Sequence, residues 1–101
     1  MPHKNALSND EPHHLYEIVD KTDNDTFKFG ISGDPIEEDG LSRRVRRQVN
    51  LLNLVDNWAR FFARILVFDI QGRKEAARIE KEYIQNYKTK YGRKPRGNPK
   101  D

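Results

Sequence analysis

A glutamate lies in the middle of the apolar face of a predicted helix. The segment EKEYIQNY runs from Glu80 to Tyr87, and at about 100° per residue Glu80 falls at the centre of the apolar stripe, whereas Glu82 falls across the helix. The apolar neighbours on that face are Ala76, Ala77, Tyr83, Ile84, Tyr87 and Tyr91. An unpaired carboxylate in such surroundings costs on the order of several kcal/mol, so Glu80 needs a compensating partner.

An arginine from another helix could supply part of that compensation. Ser42 is a plausible N-cap for a helix that runs to about Val55,. Its apolar stripe is Leu41, Val45, Val49 and Leu52. Arg44 projects between Leu51 and Val55, while Arg43 and Arg47 point away from the stripe. Arg44 is therefore the arginine expected to enter a site, although a plain ion pair with Glu80 remains an alternative.

Two basic blocks indicate an anionic partner. RRVRR at Arg43–Arg47 and KTKYGRKPRGNPK at Lys88–Lys100 hold ten of the nineteen Lys and Arg residues, against a net charge of only +3. Such clustering favours nucleic acid, and a solvated basic face is the alternative. His3, His13 and His14 lack Cys partners and a helical His-x-x-x-His spacing, so zinc is not expected.

Composition favours one small domain. The 101 residues are 35% hydrophobic and 35% charged, with ten aromatic residues and no cysteine, which suits one modest core without disulfides. We expect a polar lead-in over 1–13 and a single domain over 14–101 with a basic tail. No signal peptide or membrane span is evident, so the expected site of action is cytoplasmic.

Periodicity predicts the order ββαβα, an α+β fold with a small, mainly antiparallel three-stranded sheet flanked by helices. The predicted strands are 14–20, 26–32 and a largely buried 58–69, and the predicted helices end near Val55 and at Tyr91, before Gly92,. A turn near Asn24 places Tyr16 on the same sheet face as Lys28, Gly30 and Ser32. GISGD, after the second strand, lacks the spacing of a phosphate-binding loop, so no nucleotide cofactor is expected.

In order and spacing, these segments resemble the GIY-YIG nuclease superfamily over about 14–98. HLY, ending at Tyr16, stands where GIY stands, and KFG, from Lys28 to Gly30, stands where YIG stands. Arg44 in SRRVRRQ matches the arginine that the superfamily has early in its first helix, and Glu80 in IEKEYI matches the glutamate of its later helix. Asn98 in PRGNP matches the asparagine near the end of the superfamily pattern. The basic YGRKPRGN segment also resembles URI-type nuclease domains of bacterial polymorphic toxins.

The sequence departs from the superfamily pattern at three positions. His14 and Leu15 replace the first two residues of GIY, and Lys28 replaces the first tyrosine of YIG. A lysine there could still position water or hold a phosphate as a point charge. The loop from Gly30 to Arg44 is long, so Arg43 is a fallback for the arginine role.

The resemblance implies a metal-dependent endonuclease acting on DNA. It implies Mg²⁺ (or Mn²⁺) on Glu80, water activation by Tyr16 with Lys28, and transition-state stabilisation by Arg44, with Asn98 as a supporting or phosphate contact. Backbone-phosphate contacts are expected from Arg43, Arg46, Arg47, Lys88, Lys90, Arg93, Lys94 and Arg96. The alternatives are an inert nucleic-acid-binding module on the same fold and an RNase. An immunity protein is the expected partner of a toxin, and no membrane partner is expected.

Overall fold

The computed structural model describes residues 11–99, which fold in the order ββαβα. The elements are β1 (Pro12–Asp20), β2 (Asp25–Ser32), α1 (Arg43–Asp56), β3 (Phe61–Gln71) and α2 (Arg73–Tyr91). The three strands form one antiparallel sheet in the order β2-β1-β3. The predicted α+β class and element order are confirmed.

The central strand, β1, is the most buried element of the sheet. Its residues from His13 to Asp20 are all buried, because the strand has a neighbour on each side and a helix over each face. The strand begins earlier than predicted, since Pro12 already pairs with Gln71 of β3. The last residues of the predicted lead-in therefore belong to the folded domain.

The hairpin of β1 and β2 places Tyr16 on the predicted face. Tyr16 lies opposite Gly30, Ile18 opposite Lys28 and His14 opposite Ser32. Since residues opposite each other point to the same side of a sheet, Tyr16 and Lys28 share a face as predicted. Asn24 adopts a φ of 53° in the connecting turn, in the left-handed region that asparagine tolerates.

The two helices cover opposite faces of the sheet. Side chains alternate along β1, so Tyr16 and Ile18 pack on α1 through Val45, while Leu15 packs on α2 through Ala76. The predicted stripe of α1 is confirmed, because Leu41, Val49 and Leu52 pack against the same cluster as Val45. Within residues 11–99, no helix is both long and apolar enough to cross a membrane.

The third strand differs from its prediction in both position and burial. It begins at Phe61 rather than Trp58, because Asn57 in the left-handed conformation ends α1 and the backbone N–H of Trp58 donates to the Asn53 carbonyl. Only Phe61 and Ile70 of β3 are buried. The prediction of a largely buried strand was wrong because β3 lies at the sheet edge, where the helices cover it only in part.

Candidate functional site

The chain after α2 returns to the free edge of β2. The backbone N–H of Gly97 donates to the Phe27 carbonyl at 2.6 Å, and the side-chain amide of Asn98 both donates to the Phe29 carbonyl (2.9 Å) and accepts from its N–H (2.8 Å). A Cβ on Gly97 would lie 2.8 Å from Cβ of Lys28. Gly97 and Asn98 therefore extend the sheet edge directly beside Lys28.

Glu80 lines an open cleft between α2 and this returning segment. Asn98, Lys88 and Lys94 line the same cleft. Glu80 is half-buried, and within residues 11–99 its carboxylate makes no salt bridge. Burial raises its pKa, against the opposing effect of the cations Arg73, Lys28 and Arg44. Glu82, by contrast, is exposed and pairs with Arg78, so the predicted difference between the two glutamates is confirmed.

Lys28 is the charge nearest the centre of the site. Burial lowers its pKa, the Arg44 guanidinium lowers it further, and Glu80 raises it. Lys28 of β2, Arg44 of α1 and Glu80 of α2 therefore interact electrostatically at the β2 edge. No salt bridge joins Arg44 to Glu80 within the described part of the chain, so the two do not form the plain ion pair that was the alternative.

Tyr16 is connected to Lys28 through a glutamine that the sequence analysis did not single out. Nε2 of Gln48 donates to the Tyr16 hydroxyl at 2.6 Å, and Nζ of Lys28 donates to Oε1 of Gln48 at 2.9 Å. Tyr16 itself is only 1% exposed. Gln48 stands four residues after Arg44, a spacing that puts both on one side of a helix, and this was the available signal.

Gly30 provides the space that the Tyr16 ring occupies. A Cβ at position 30 would lie 2.3 Å from both Cζ and Oη of Tyr16, far inside van der Waals contact. The glycine of KFG is therefore required by the tyrosine that faces it across the hairpin.

We expect Gly30→Ala to displace the Tyr16 ring and lower the free energy of unfolding by about 1–3 kcal/mol, the usual effect of overpacking. Urea unfolding measures the change, and tyrosine near-ultraviolet circular dichroism reports the ring environment. Gly40→Ala is not a neutral control because of its positive φ, so Glu38→Ala, on the same exposed loop, serves instead. Unchanged stability in Gly30→Ala would contradict the close packing.

Three arginines line a second cleft on the α1 side of the edge. Arg43, Arg44 and Arg47 border it with Lys28 and Gln48. None of the three arginines is salt-bridged within residues 11–99. Arg43 and Arg47 lie away from the apolar stripe as predicted, yet they share the cleft with Arg44, so the structure does not single out Arg44.

Other basic residues predicted to contact nucleic acid are engaged with carboxylates. Arg46 pairs with Glu37 and Asp39 at 2.8 Å, and Arg93 pairs with Asp25 at 2.8 Å. Arg96 pairs with the buried Asp20 at 2.7 Å. The Lys90 ammonium lies 5.3 Å from the Tyr91 ring centroid. The contacts of Arg93 and Arg96 tie the basic tail to the β1–β2 hairpin, which reduces the availability of these arginines to a phosphate backbone.

The two described histidines contact the protein. Nδ1 of His13 donates to the Glu11 carbonyl at 2.6 Å, and Nε2 of His14 is hydrogen-bonded to the Ser42 hydroxyl at 3.0 Å. Burial lowers the pKa of His14, against the opposing effect of Asp34. Among residues 11–99, no group of three or more His, Cys, Asp or Glu side chains is placed to hold a metal ion. His3 lies outside the described residues.

Comparison with known families gives one match, which covers most of the chain. The family described as URI fold toxin 2 matches residues 6–92. The match ends at Gly92, before the segment that pairs with β2. Comparisons with curated proteins and with solved structures gave no match. The resemblance to URI-type toxin domains is thus confirmed, and the chain belongs to the URI fold toxin 2 family.

Proposed function

We propose that this toxin domain is a metal-dependent endonuclease of the GIY-YIG type that hydrolyses phosphodiester bonds of DNA. The observation that carries the proposal is the convergence of Glu80, Lys28 and Arg44 on one sheet edge, each from a different element. A half-buried carboxylate with cations around it but no salt bridge is costly to stability. Such an arrangement is typical of a site that binds something.

The environment of Glu80 suits Mg²⁺ or Mn²⁺. Mg²⁺ prefers oxygen ligands, keeps several waters and is commonly held by one or two carboxylates together with substrate phosphates. Glu80 offers one carboxylate in an open cleft, which leaves the remaining positions to water and phosphate oxygens. When bound, the ion screens the phosphate charge and stabilises the leaving oxygen.

The cations of the other cleft bind the scissile phosphate. Arg44, with Arg43 as a neighbour on the same cleft, donates charge-assisted hydrogen bonds to the non-bridging oxygens, where negative charge grows in the transition state. Lys28 lies beside them and contributes a point charge. This positioning would supply electrostatic stabilisation to the transition state.

Tyr16 and Gln48 act on the attacking water. Because Lys28 donates to Oε1 of Gln48, the amide is held with Nε2 toward the Tyr16 hydroxyl. That hydroxyl accepts from Gln48 and keeps its own proton available to order a water. Tyr16 thus orients the attacking water, and Gln48 positions Tyr16. Asn98 supports the site by holding the β2 edge at Phe29.

The same surface accounts for binding of the substrate. Arg43 and Arg47 on one cleft, and Lys88 and Lys94 on the other, flank the reacting phosphate and contact the backbone without reading bases,. Binding of this kind weakens steeply with salt. Membership of a toxin family is consistent with an immunity protein as a further partner.

The proposal predicts cleavage that depends on the metal. Supercoiled plasmid incubated with the protein and Mg²⁺ or Mn²⁺ should yield nicked and linear DNA, and EDTA should abolish both products, because the leaving oxygen then lacks a counter-charge. Gel electrophoresis at constant ionic strength measures the conversion. A labelled RNA of matching sequence is run in parallel.

Each other outcome contradicts the proposal in a different way. Cleavage that persists in the presence of EDTA would show that catalysis does not require a metal ion. Cleavage of RNA alone would make the domain an RNase. Binding of DNA without cleavage under every condition would indicate the inert nucleic-acid-binding module.

A further inference from the structure

Helix α1 carries a second apolar stripe that faces away from the sheet. Leu51, Leu54 and Val55 follow the spacing i, i+3, i+4, and they are 63, 75 and 77% exposed. The core stripe of the same helix, which includes Val45 and Leu52, already packs on the sheet. An ordinary surface helix has one apolar stripe, so this second stripe does not contribute to the core.

The same outer side of α1 carries positive charge at its N-terminal end. Arg43, Arg44 and Arg47 lie there, and Leu51 and Leu54 line the same cleft as these arginines. Most other arginines of the described chain are paired with carboxylates: Arg46, Arg60, Arg64, Arg78, Arg93 and Arg96. The outer face of α1, defined as these three arginines with the second apolar stripe, thus combines unmatched cations with exposed apolar groups.

We infer that the outer face of α1 docks an acidic, amphipathic segment of another protein. Carboxylates of that segment meet the arginines, and its apolar side chains cover Leu51, Leu54 and Val55. A contiguous exposed apolar patch marks an interaction surface, and helix-in-groove recognition uses apolar anchors at such i, i+3 and i+4 positions. Phosphodiesters satisfy the arginines but offer nothing to two leucines and a valine, so the apolar half favours a protein partner.

Charge disfavours a second copy of this chain as the occupant. If two α1 helices packed in parallel, the arginines of both would face each other, and like charges brought together are destabilising. If they packed antiparallel, the arginines of each would lie against the leucines of the other, which buries unpaired charge. An acidic partner has neither problem.

The docked segment would also cover the cleft that Arg44 and Lys28 share. Docking would therefore block the phosphate-binding side of the site. This consequence rests on the proposed function, whereas the docking itself does not. Binding is therefore tested without any cleavage assay.

The test uses a displayed library of helical peptides whose positions vary among acidic, basic and apolar residues, selected against the folded full chain. We expect enriched peptides to combine Asp or Glu with apolar residues at i, i+3 or i+4 spacing. Fluorescence anisotropy of a labelled enriched peptide should show at least tenfold weaker binding to the double variant Leu51→Gln/Leu54→Gln and to Arg43→Gln/Arg47→Gln. Phe68→Gln, whose parent side chain is 55% exposed on β3, is the matched control and should bind unchanged.

Circular dichroism melts establish that each variant is folded. Peptides without the acidic and apolar pattern, or binding that is insensitive to the leucine variant, would overturn the inference. A labelled DNA duplex that loses as much affinity as the peptide in Leu51→Gln/Leu54→Gln would instead make the face a nucleic-acid platform. A dimer in sedimentation that dissociates in the same variant would assign the face to self-association.

Discussion

Glu80→Gln should abolish Mg²⁺-dependent plasmid cleavage while the domain stays folded. The substitution keeps the shape of the side chain but removes the only carboxylate proposed to hold the ion. Metal-ion catalysis supplies several kcal/mol of charge stabilisation, and each 1.36 kcal/mol corresponds to a factor of ten in rate. We therefore expect a loss of about a thousandfold or more in the initial rate of nicking, measured by gel electrophoresis.

The stability of the same variant should be unchanged or higher at neutral pH. Burial raises the pKa of Glu80 above its ordinary value of 4.5, so the folded state disfavours the ionised form relative to the unfolded state. Stability linked to this group is fully present below the unfolded pKa and is lost as pH rises through the folded pKa. Glutamine does not ionise, so the variant does not lose stability as the pH rises through this range. Its free energy of unfolding at neutral pH should therefore be no lower than that of the wild type.

Glu82→Gln is the matched control, since it changes a glutamate of the same helix that is exposed and paired with Arg78. It should retain full cleavage. If Glu80→Gln cleaves as fast as Glu82→Gln, Glu80 does not hold the ion. If Glu80→Gln is instead strongly destabilised, the carboxylate has a structural role that the absence of a salt bridge to Glu80 among residues 11–99 does not suggest.

Asp20→Asn should produce the largest loss of stability, about 3 kcal/mol or more. Asp20 is fully buried at the end of β1 and accepts hydrogen bonds from Arg60 at 2.7 and 2.9 Å, from Arg96 at 2.7 Å and from the Thr22 N–H at 3.0 Å. Asparagine has nearly the same volume as aspartate, but its NH₂ group is a hydrogen-bond donor where aspartate has an acceptor oxygen. That NH₂ group would face the N–H donors that now bond to the Asp20 carboxylate. Breaking a buried ion pair by removing one partner typically costs about 3–5 kcal/mol.

The effect should become smaller in acid. Hydrogen bonds from Arg60, followed by those from Arg96 and Thr22, hold the pKa of Asp20 well below its ordinary value of 3.8. Its contribution is therefore present above the unfolded pKa and is lost as pH falls below about 4 toward the folded pKa. Urea unfolding at a series of pH values from 7 down to 2 should show a difference between wild type and variant that is largest at pH 7 and shrinks progressively below about pH 4.

Asp39→Asn is the control for this comparison. Asp39 also accepts hydrogen bonds from an arginine, Arg46, but it is exposed, and exposed ion pairs contribute little. We expect a much smaller change than for Asp20→Asn. If the two substitutions lowered the free energy of unfolding equally, the contribution of Asp20 to stability would not depend on its burial.

Local periodicity was sufficient to predict most of the fold. Side chains repeat every 3.6 residues in a helix and every two in a strand, so the different environments of Glu80 and Glu82 followed from their spacing alone. The position of Tyr16 on the same sheet face as Lys28 and Gly30 followed from the turn near Asn24. The end of α2 at Tyr91 followed from Gly92, which adopts a φ of 76°.

Contacts between distant residues required the tertiary structure. Arg96 looked like part of a free basic tail, but it pairs with Asp20, 76 residues earlier, because the chain after α2 returns to the β2 edge. The spacing of Gln48 from Arg44 indicated only a shared side of the helix, and its role became visible once Tyr16 and Lys28 were placed on either side of its amide. The edge position of β3 depended on strand order, which a run of apolar residues does not encode.

The sequence by itself thus determined the order of the elements, the core faces of the two helices and the different environments of Glu80 and Glu82. Only the tertiary structure decided which cations stay unpaired and which are neutralised within the fold. The physical reason is that an element's face depends on backbone geometry within a few residues. The partner of a charge depends on which distant carboxylates the folded chain brings within about 3–4 Å.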